Sequence, residues 1–119
     1  MKPIGVIIWT EKLENLLGYY KLIFNSNVSK KKDTSAYFIR DNFKFYIAEH
    51  SEVSGKSKDP NRVILNLETE DIEAEYKRLT HKNINFVRLP ELEKWGGKVA
   101  TFEDPENNRI NLIQQADKI

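Results

Sequence analysis

Six residues of this chain have side chains suited to holding a small organic molecule. They combine bulky apolar groups with two carboxamides and one carboxylate. The six are Ile7, Trp9, Asn66, Glu68, Trp95 and Asn111. Asn66 and Glu68 alternate with Leu65 and Leu67, so a strand here would have one apolar and one polar face. That polar face is either solvated or in contact with a ligand. Indole rings would offer stacking area, and the amides and carboxylate would orient polar or cationic groups.

Nucleophilic and acid–base chemistry has few candidates. Cysteine is absent, which excludes a thiol nucleophile, a disulfide and a thiolate metal site. Glu68 could act as a general base if its carboxylate is buried. The two histidines are His50, where a predicted strand meets a linker, and His81, at the end of a predicted helix. We expect both to be surface residues, and a catalytic base at His50 is the alternative.

Length and charge limit the class of protein. The chain of 119 residues can form one domain with a core, and not two. The net charge of +1 gives no long-range field that recruits nucleic acid or an anionic membrane. We interpret Lys30-Lys31-Lys32 as a solvated loop, with a phosphate contact as the alternative. The apolar run at residues 4–8 is too short for a signal-peptide core or a membrane helix. Together with the missing cysteines, this predicts a cytoplasmic protein with no nucleic-acid or membrane partner.

Apolar periodicity predicts a strand, then a helix, then further strands in each half of the chain. The first half has a strand, a helix started by Thr10 or Glu11, and two strands. Their ranges are 4–10, 13–24, 35–40 and 43–49. A linker rich in Ser, Lys and Asp follows at 51–61. The second half has a strand, a helix opened by Asp71, and three strands. Their ranges are 62–69, 71–79, 84–89, 98–103 and 109–114.

The two halves also align at one constant offset of 59 residues. Val6 matches Leu65 in the first strands, and Leu13 matches Ile72 in the helices. One offset that serves both a strand and a helix indicates an internal duplication of a β-α-β-β-β unit. Each unit alone covers one face of its sheet with its helix. Two units placed edge to edge could curl the uncovered face into a trough.

The stretch 95–114 contains Trp-Gly-Gly, a strand, an Asp-Pro-Glu-Asn-Asn turn and a second strand. It resembles the C-terminal signature of the vicinal-oxygen-chelate superfamily of glyoxalases, bleomycin-resistance proteins and extradiol dioxygenases. The resemblance implies an α+β fold in which two β-α-β-β-β modules form a curved mixed sheet around a trough. It implies a single domain over 1–119, with module one at about 1–50, a linker at 51–61 and module two at about 62–119. Similar proteins commonly form homodimers, which would also cover sheet edges.

The metal positions of that superfamily can be carried onto this chain one at a time. The positions in the first strand of each module fall on Gly5 and Ile64, which cannot bind a metal. The position in the last strand is Asn111, whose amide oxygen is a poor ligand for a transition metal. The fourth position falls near Glu49 and His50. A catalytic zinc-type site needs at least three protein ligands, so we predict no metal and no cofactor.

The preferred function is metal-free binding of a small organic molecule, as in the bleomycin-resistance branch that this chain resembles. The alternative is a metal-dependent lyase, isomerase or dioxygenase that uses Glu49 or His50 together with Glu68. A third hypothesis is an accessory domain whose trough is filled by apolar side chains. Trp95 would lie either at the pocket mouth or in a dimer interface, and the sequence favours neither.

Overall fold

The computed structural model describes residues 1–116. The chain divides into two compact units, residues 1–55 and the chain from Lys56 onward. Each unit contains one helix and one four-stranded mixed sheet. In the first unit the elements are β1 (Gly5–Thr10), α1 (Glu14–Phe24), β2 (Lys30–Lys31), β3 (Ser35–Arg40) and β4 (Phe43–Glu49). In the second they are β5 (Leu65–Glu68), α2 (Ile72–His81), β6 (Asn85–Leu92), β7 (Lys98–Glu103) and β8 (Arg109–Gln114).

Strand order is the same in both sheets. The first sheet runs β1-β4-β3-β2 and the second runs β5-β8-β7-β6. The first and last strands of each unit pair in parallel, and the remaining neighbours are antiparallel. A parallel pair needs a crossover, which begins with the helix in each unit. The predicted α+β fold of two β-α-β-β-β modules is therefore confirmed.

Each helix packs on one face of its own sheet and builds the core there. In the first unit Tyr20 of α1 contacts Phe45 of β4, with ring centroids 4.9 Å apart. In the second, Tyr76 of α2 contacts Phe86 of β6 at 4.8 Å. Alternation then sends every second residue of a strand to the opposite face. We call this opposite side, turned away from the unit's own helix, the distal face.

Three local predictions were wrong. Lys30 and Lys31, taken as part of a solvated loop, form strand β2 because Lys30 pairs with Tyr37 and Lys31 with Ala36. Val63, expected under the helix, is 76% exposed because β5 begins only at Leu65. Helix α1 begins at Glu14 rather than at Thr10 or Glu11.

The turns agree with their residue types. Asp41 and Asn42 both have positive φ, 48° and 65°, and they join β3 to β4. Such a pair of left-handed residues matches the twist of a two-residue hairpin. Asp104 is buried, and its carboxylate accepts hydrogen bonds from the backbone N–H groups of Glu106 and Asn108. The Asp-Pro-Glu-Asn-Asn segment thus has a structural role. In the described part of the chain, no helix is long and apolar enough to cross a membrane.

Candidate functional site

The distal face of the first sheet carries the two bulky apolar residues expected there. Ile7 is 46% exposed and Trp9 is 42% exposed, whereas Thr10, which points to the helix side, is fully buried. The His50 and Trp9 rings are in contact in a T-shaped arrangement, with centroids 5.1 Å apart and planes at 76°. The indole packs against the imidazole on one side and still presents apolar area to a ligand.

One row of paired residues crosses this distal face from edge to edge. Ile7 of β1 pairs with Tyr46 of β4, Tyr46 pairs with Tyr37 of β3, and Tyr37 pairs with Lys30 of β2. The two tyrosine rings have centroids 5.0 Å apart. The Nζ atom of Lys44 lies 4.9 Å from the centre of the Tyr37 ring. The row therefore joins an apolar end to an aromatic centre and a cationic end.

A cavity of 230 Å³ lies over the cationic end of this row. Its lining residues are Lys30, Lys32, Ser35, Tyr37, Lys44 and Tyr46. None of these six is among the site residues predicted from the sequence, and Lys30 and Lys32 were assigned to a solvated loop. Tyr37, Lys44 and Tyr46 do alternate with apolar neighbours in β3 and β4. That alternation was the one signal in the sequence that could have revealed them.

The second sheet has an equivalent row on its distal face. Asn66 of β5 pairs with Asn111 of β8, Asn111 pairs with Thr101 of β7, and Thr101 pairs with Arg88 of β6. Three of these side chains form a hydrogen-bonded series. The Thr101 hydroxyl donates to Asn111 Oδ1 at 2.7 Å, and Asn111 Nδ2 donates to Asn66 Oδ1 at 3.1 Å. The structure thus brings the two predicted residues Asn66 and Asn111 into direct contact.

Arg88 closes this second row with its own carboxylate partners. It forms ion pairs with Glu91 and Glu93. The hydrogen bond to Glu93 raises the pKa of the Arg88 guanidinium above its already high ordinary value. The guanidinium charge of Arg88 is thus balanced by two carboxylates of the second unit.

Glu68 and Trp95 occupy separate positions in the second unit. Glu68 is exposed at the end of β5 and pairs with Ile113 of β8. Trp95 is 53% exposed, and its six-membered ring lies so close to Gly97 that a Cβ there would overlap it. Gly96, with φ of +99°, supplies the left-handed turn between them. The Trp-Gly-Gly sequence therefore folds the indole back over its own loop and leaves half of it accessible.

Glu49 and His50 are both involved in local contacts. Glu49 Oε2 accepts a hydrogen bond from the backbone N–H of Leu13, at 2.9 Å, and so caps the start of α1. In the second unit Gln114 does the same for Ile72, at 2.8 Å. His50 Nδ1 accepts from the backbone N–H of Glu52, at 3.0 Å. Glu49 is therefore a capping residue of the fold.

The strand register corrects the position that corresponds to Asn111 in the first unit. Asn111 pairs with Asn66, the second residue of β5, and the matching pair in the first unit is Tyr46 with Ile7. The equivalent position is therefore Tyr46 and not Glu49 or His50. At Gly5 a Cβ would overlap the carbonyl oxygen of Lys44, so this position also lacks room for a longer side chain.

These side chains do not fit a transition metal. The four positions hold a glycine, an aliphatic residue, a phenol and an amide, in place of imidazole and carboxylate ligands. Among residues 1–116, no three His, Cys, Asp or Glu side chains come together in a group that could bind a metal ion.

A family model described as Glyoxalase/Bleomycin resistance protein/Dioxygenase superfamily matches residues 4–112. The chain belongs to this superfamily. An uncharacterized protein of Shewanella frigidimarina (strain NCIMB 400) is 42% identical over 57 residues. That match covers 48% of this chain and 42% of the relative, so the chain spans less than half of the length of this relative.

Solved structures of the superfamily have the same fold. A glyoxalase-related enzyme from Fulvimarina pelagi superposes with a TM-score of 0.79 at 11% identity, covering 97% of this chain and 88% of that one. A bleomycin resistance determinant encoded on transposon Tn5 superposes with a TM-score of 0.75 at 16% identity, covering 97% and 98%. At these identities the superpositions establish the fold alone.

Proposed function

We propose that this protein binds a small organic molecule on the distal faces of its sheets and that binding needs no transition metal. The observation that carries the proposal is the pair Ile7 and Trp9, two large apolar side chains left 46% and 42% exposed side by side in β1. Water contact with this much apolar surface is unfavourable, and a flat ligand would remove it.

The donors of the distal faces support a metal-free mode of binding. The positions that hold metal ligands elsewhere in the superfamily carry Gly5, Ile64, Tyr46 and Asn111, so a ligand would meet protein groups directly. Asn66 Nδ2 has no partner within residues 1–116 and can donate to a polar group. Exposed Glu68 can pair with a cationic group. Trp95 offers a second stacking surface, half exposed above Gly97.

Homodimer formation is part of this proposal. The edge strand β6 has exposed apolar residues at Val87, Leu89 and Leu92. Exposed apolar groups on a sheet edge favour association with a second copy. Trp95 lies within a few residues of this strand, so a dimer interface and a pocket mouth stay as its two alternative roles. Sedimentation of the wild type and of Leu89→Ala tests the dimer.

The proposed function is tested with Trp9→Ala and naphthylmethanol, an uncharged two-ring probe, by isothermal titration calorimetry. Loss of the stacking indole should weaken binding at least about fivefold, since aromatic contacts contribute about 1 kcal/mol beyond area burial. Leu22→Ala is the matched control, because Leu22 is also an exposed apolar residue, at 39%, and lies on helix α1. Equal affinity of the wild type and Trp9→Ala, both folded, would refute the assignment of Trp9.

A metal-dependent enzyme is not favoured by any contact in the described residues. Its candidate ligands Glu49 and His50 are a helix cap and an acceptor for Glu52 N–H. They do line one open depression of 570 Å³ with residues of the strand ends and the following loop.

A further inference from the structure

Three lysine side chains converge on the distal face of the first sheet. Lys30 comes from β2, Lys44 from β4, and Lys32 from the turn that connects β2 to β3, and all three line the 230 Å³ cavity. The turn is held by the Lys32 N–H, which donates to the Ser35 carbonyl at 2.8 Å. The convergence is therefore fixed by strand pairing and not by chance positions of a mobile loop.

No carboxylate balances these charges inside the cavity. Its lining contains three lysines, two tyrosines and a serine, and no Asp or Glu. Within residues 1–116, none of Lys30, Lys32 and Lys44 takes part in an ion pair. Like charges placed together across strands repel each other and destabilise a sheet. An anion bound between the lysines would remove that repulsion.

An aromatic surface continues directly from the charged end. Tyr37 and Tyr46 are adjacent in the paired row, and the row ends at Ile7 beside Trp9. The two rings are tilted by 49° to each other and offer apolar area against which the ring of a ligand can pack. Their hydroxyl groups can donate hydrogen bonds to an anion, as phenols do. The charged and apolar parts are thus ordered along one line.

We propose that this face of the first unit binds a small aromatic anion, with its carboxylate, sulfonate or phosphate group between Lys30, Lys32 and Lys44 and its ring on Tyr37 and Tyr46. The assignment rests on the proposed function, because it names the chemical class of a ligand on the same distal face. The cavity of 230 Å³ is smaller than the roughly 300–1,000 Å³ of sites for drug-sized ligands. It suits a compound of about one or two rings.

The test uses three probes with the same ring system and different charge: naphthoate, naphthylmethanol and naphthylmethylammonium. Calorimetric titration at low ionic strength should give naphthoate an affinity about tenfold higher than that of the neutral probe, since hydrogen bonds to ionised groups are the stronger ones. The cationic probe should bind least. Added salt should weaken naphthoate binding and leave naphthylmethanol unchanged.

Variants locate the charge. Lys30→Gln and Lys44→Gln should each weaken naphthoate binding about threefold to tenfold, and the neutral probe by less than twofold. Lys31→Gln is the matched control. It removes the same charge from the neighbouring residue, but Lys31 pairs with buried Ala36 and so lies in the row of the opposite face. Naphthoate affinity should not change in Lys31→Gln beyond about twofold.

The outcomes separate this proposal from the proposed function. If the neutral and cationic probes bind in a Trp9-dependent manner and naphthoate gains nothing, the anion site is refuted and small-molecule binding stands. If none of the three probes binds, both fail. Equal loss of naphthoate in Lys31→Gln and Lys30→Gln would show only a general effect of net charge and would also refute the site. Competition by inorganic phosphate as strong as that by naphthoate would refute the part assigned to Tyr37 and Tyr46.

Discussion

The two units share one backbone plan and differ in what their distal faces do with polar groups. In the second unit, Asn66, Asn111 and Thr101 hydrogen-bond to one another, and Arg88 pairs with carboxylates. In the first unit the equivalent residues are Ile7, Tyr46, Tyr37 and Lys30, with no such network among the described residues. The second face uses most of its polar groups in contacts with one another and leaves Asn66 Nδ2 to donate, whereas the first face leaves charge and ring area for a ligand.

This difference shows that two copies of a duplicated module can keep the same core and still carry different surfaces. Burial of the helix-side face is maintained in both units, with Phe38 and Phe102 fully buried at equivalent strand positions. The capping of each helix by the last strand is also maintained, by Glu49 and Gln114. The distal faces diverge, because side chains there are not constrained by packing against the helix.

The largest effect that tests the comparison is expected at Asn111. Asn111→Ala removes the acceptor of the Thr101 hydroxyl, and Thr101 is only 8% exposed. The free energy of unfolding should fall by about 1–3 kcal/mol, as for a buried donor left unsatisfied. The equivalent change in the first unit, Tyr46→Phe, should cost less than about 0.5 kcal/mol. Denaturant titration of both variants measures this.

A double variant sharpens that prediction. In a Thr101→Val background, Asn111→Ala should cost less than it does alone, because the unsatisfied donor is gone. Equal losses for Asn111→Ala in both backgrounds would show that the hydrogen bond does not set the difference between the two faces.

The caps should respond alike in the two units, with a smaller effect. Glu49→Ala and Gln114→Ala each leave a backbone N–H at a helix start without its acceptor. Loss of a cap typically costs about 0.5–2 kcal/mol, measured as a fall in the free energy of unfolding. Glu49→Gln replaces the carboxylate by an amide oxygen that can still accept the Leu13 N–H, and it should therefore cost less than Glu49→Ala. If only one of the two alanine variants had a lower free energy of unfolding, the two caps would not be equivalent.

The smallest expected effects are those of Arg88→Gln and Lys30→Gln on the free energy of unfolding, and these two effects should have opposite signs. Arg88→Gln removes ion pairs to Glu91 and Glu93 and should lower the free energy of unfolding by about 0.2–1 kcal/mol. Lys30→Gln removes one of three unbalanced charges and should raise it by a few tenths of a kcal/mol at low salt. Thermal unfolding at low and high salt checks both. A loss of stability in Lys30→Gln would mean that the lysines do not repel one another there.

The sequence predicted the parts of the fold that show hydrophobic periodicity or the internal repeat. The offset of 59 residues located the first strands and helices, and Asp71 caps α2 through the Ala74 N–H as its residue type suggested. The short strand β2 was missed because two exposed lysines on an edge have no apolar alternation to detect. Val63 was misplaced because the sequence did not show where β5 begins.

The candidate site depends on which strands pair with each other, and hydrophobic periodicity does not reveal that pairing. The contact of Asn66 with Asn111 joins residues 45 positions apart and follows from strand pairing. The same pairing moved the equivalent position in the first unit from Glu49 to Tyr46, because a short error in register changes the facing residue. The six site residues stay predictions for binding experiments, and the division of the domain into two modules and a linker stays a prediction as well.

The central claim is that the protein binds a small organic molecule without a transition metal, and the metal dependence of ligand binding tests it most directly. The protein would be purified without chelator and measured for bound Zn, Ni, Mn and Fe. Naphthalene-probe binding would then be titrated before and after dialysis against a chelator. We expect less than about a tenth of an equivalent of metal and unchanged affinity, because the family's metal positions hold Gly5, Ile64, Tyr46 and Asn111. Near one equivalent of metal, with binding lost on chelation and restored by the ion, would contradict the account.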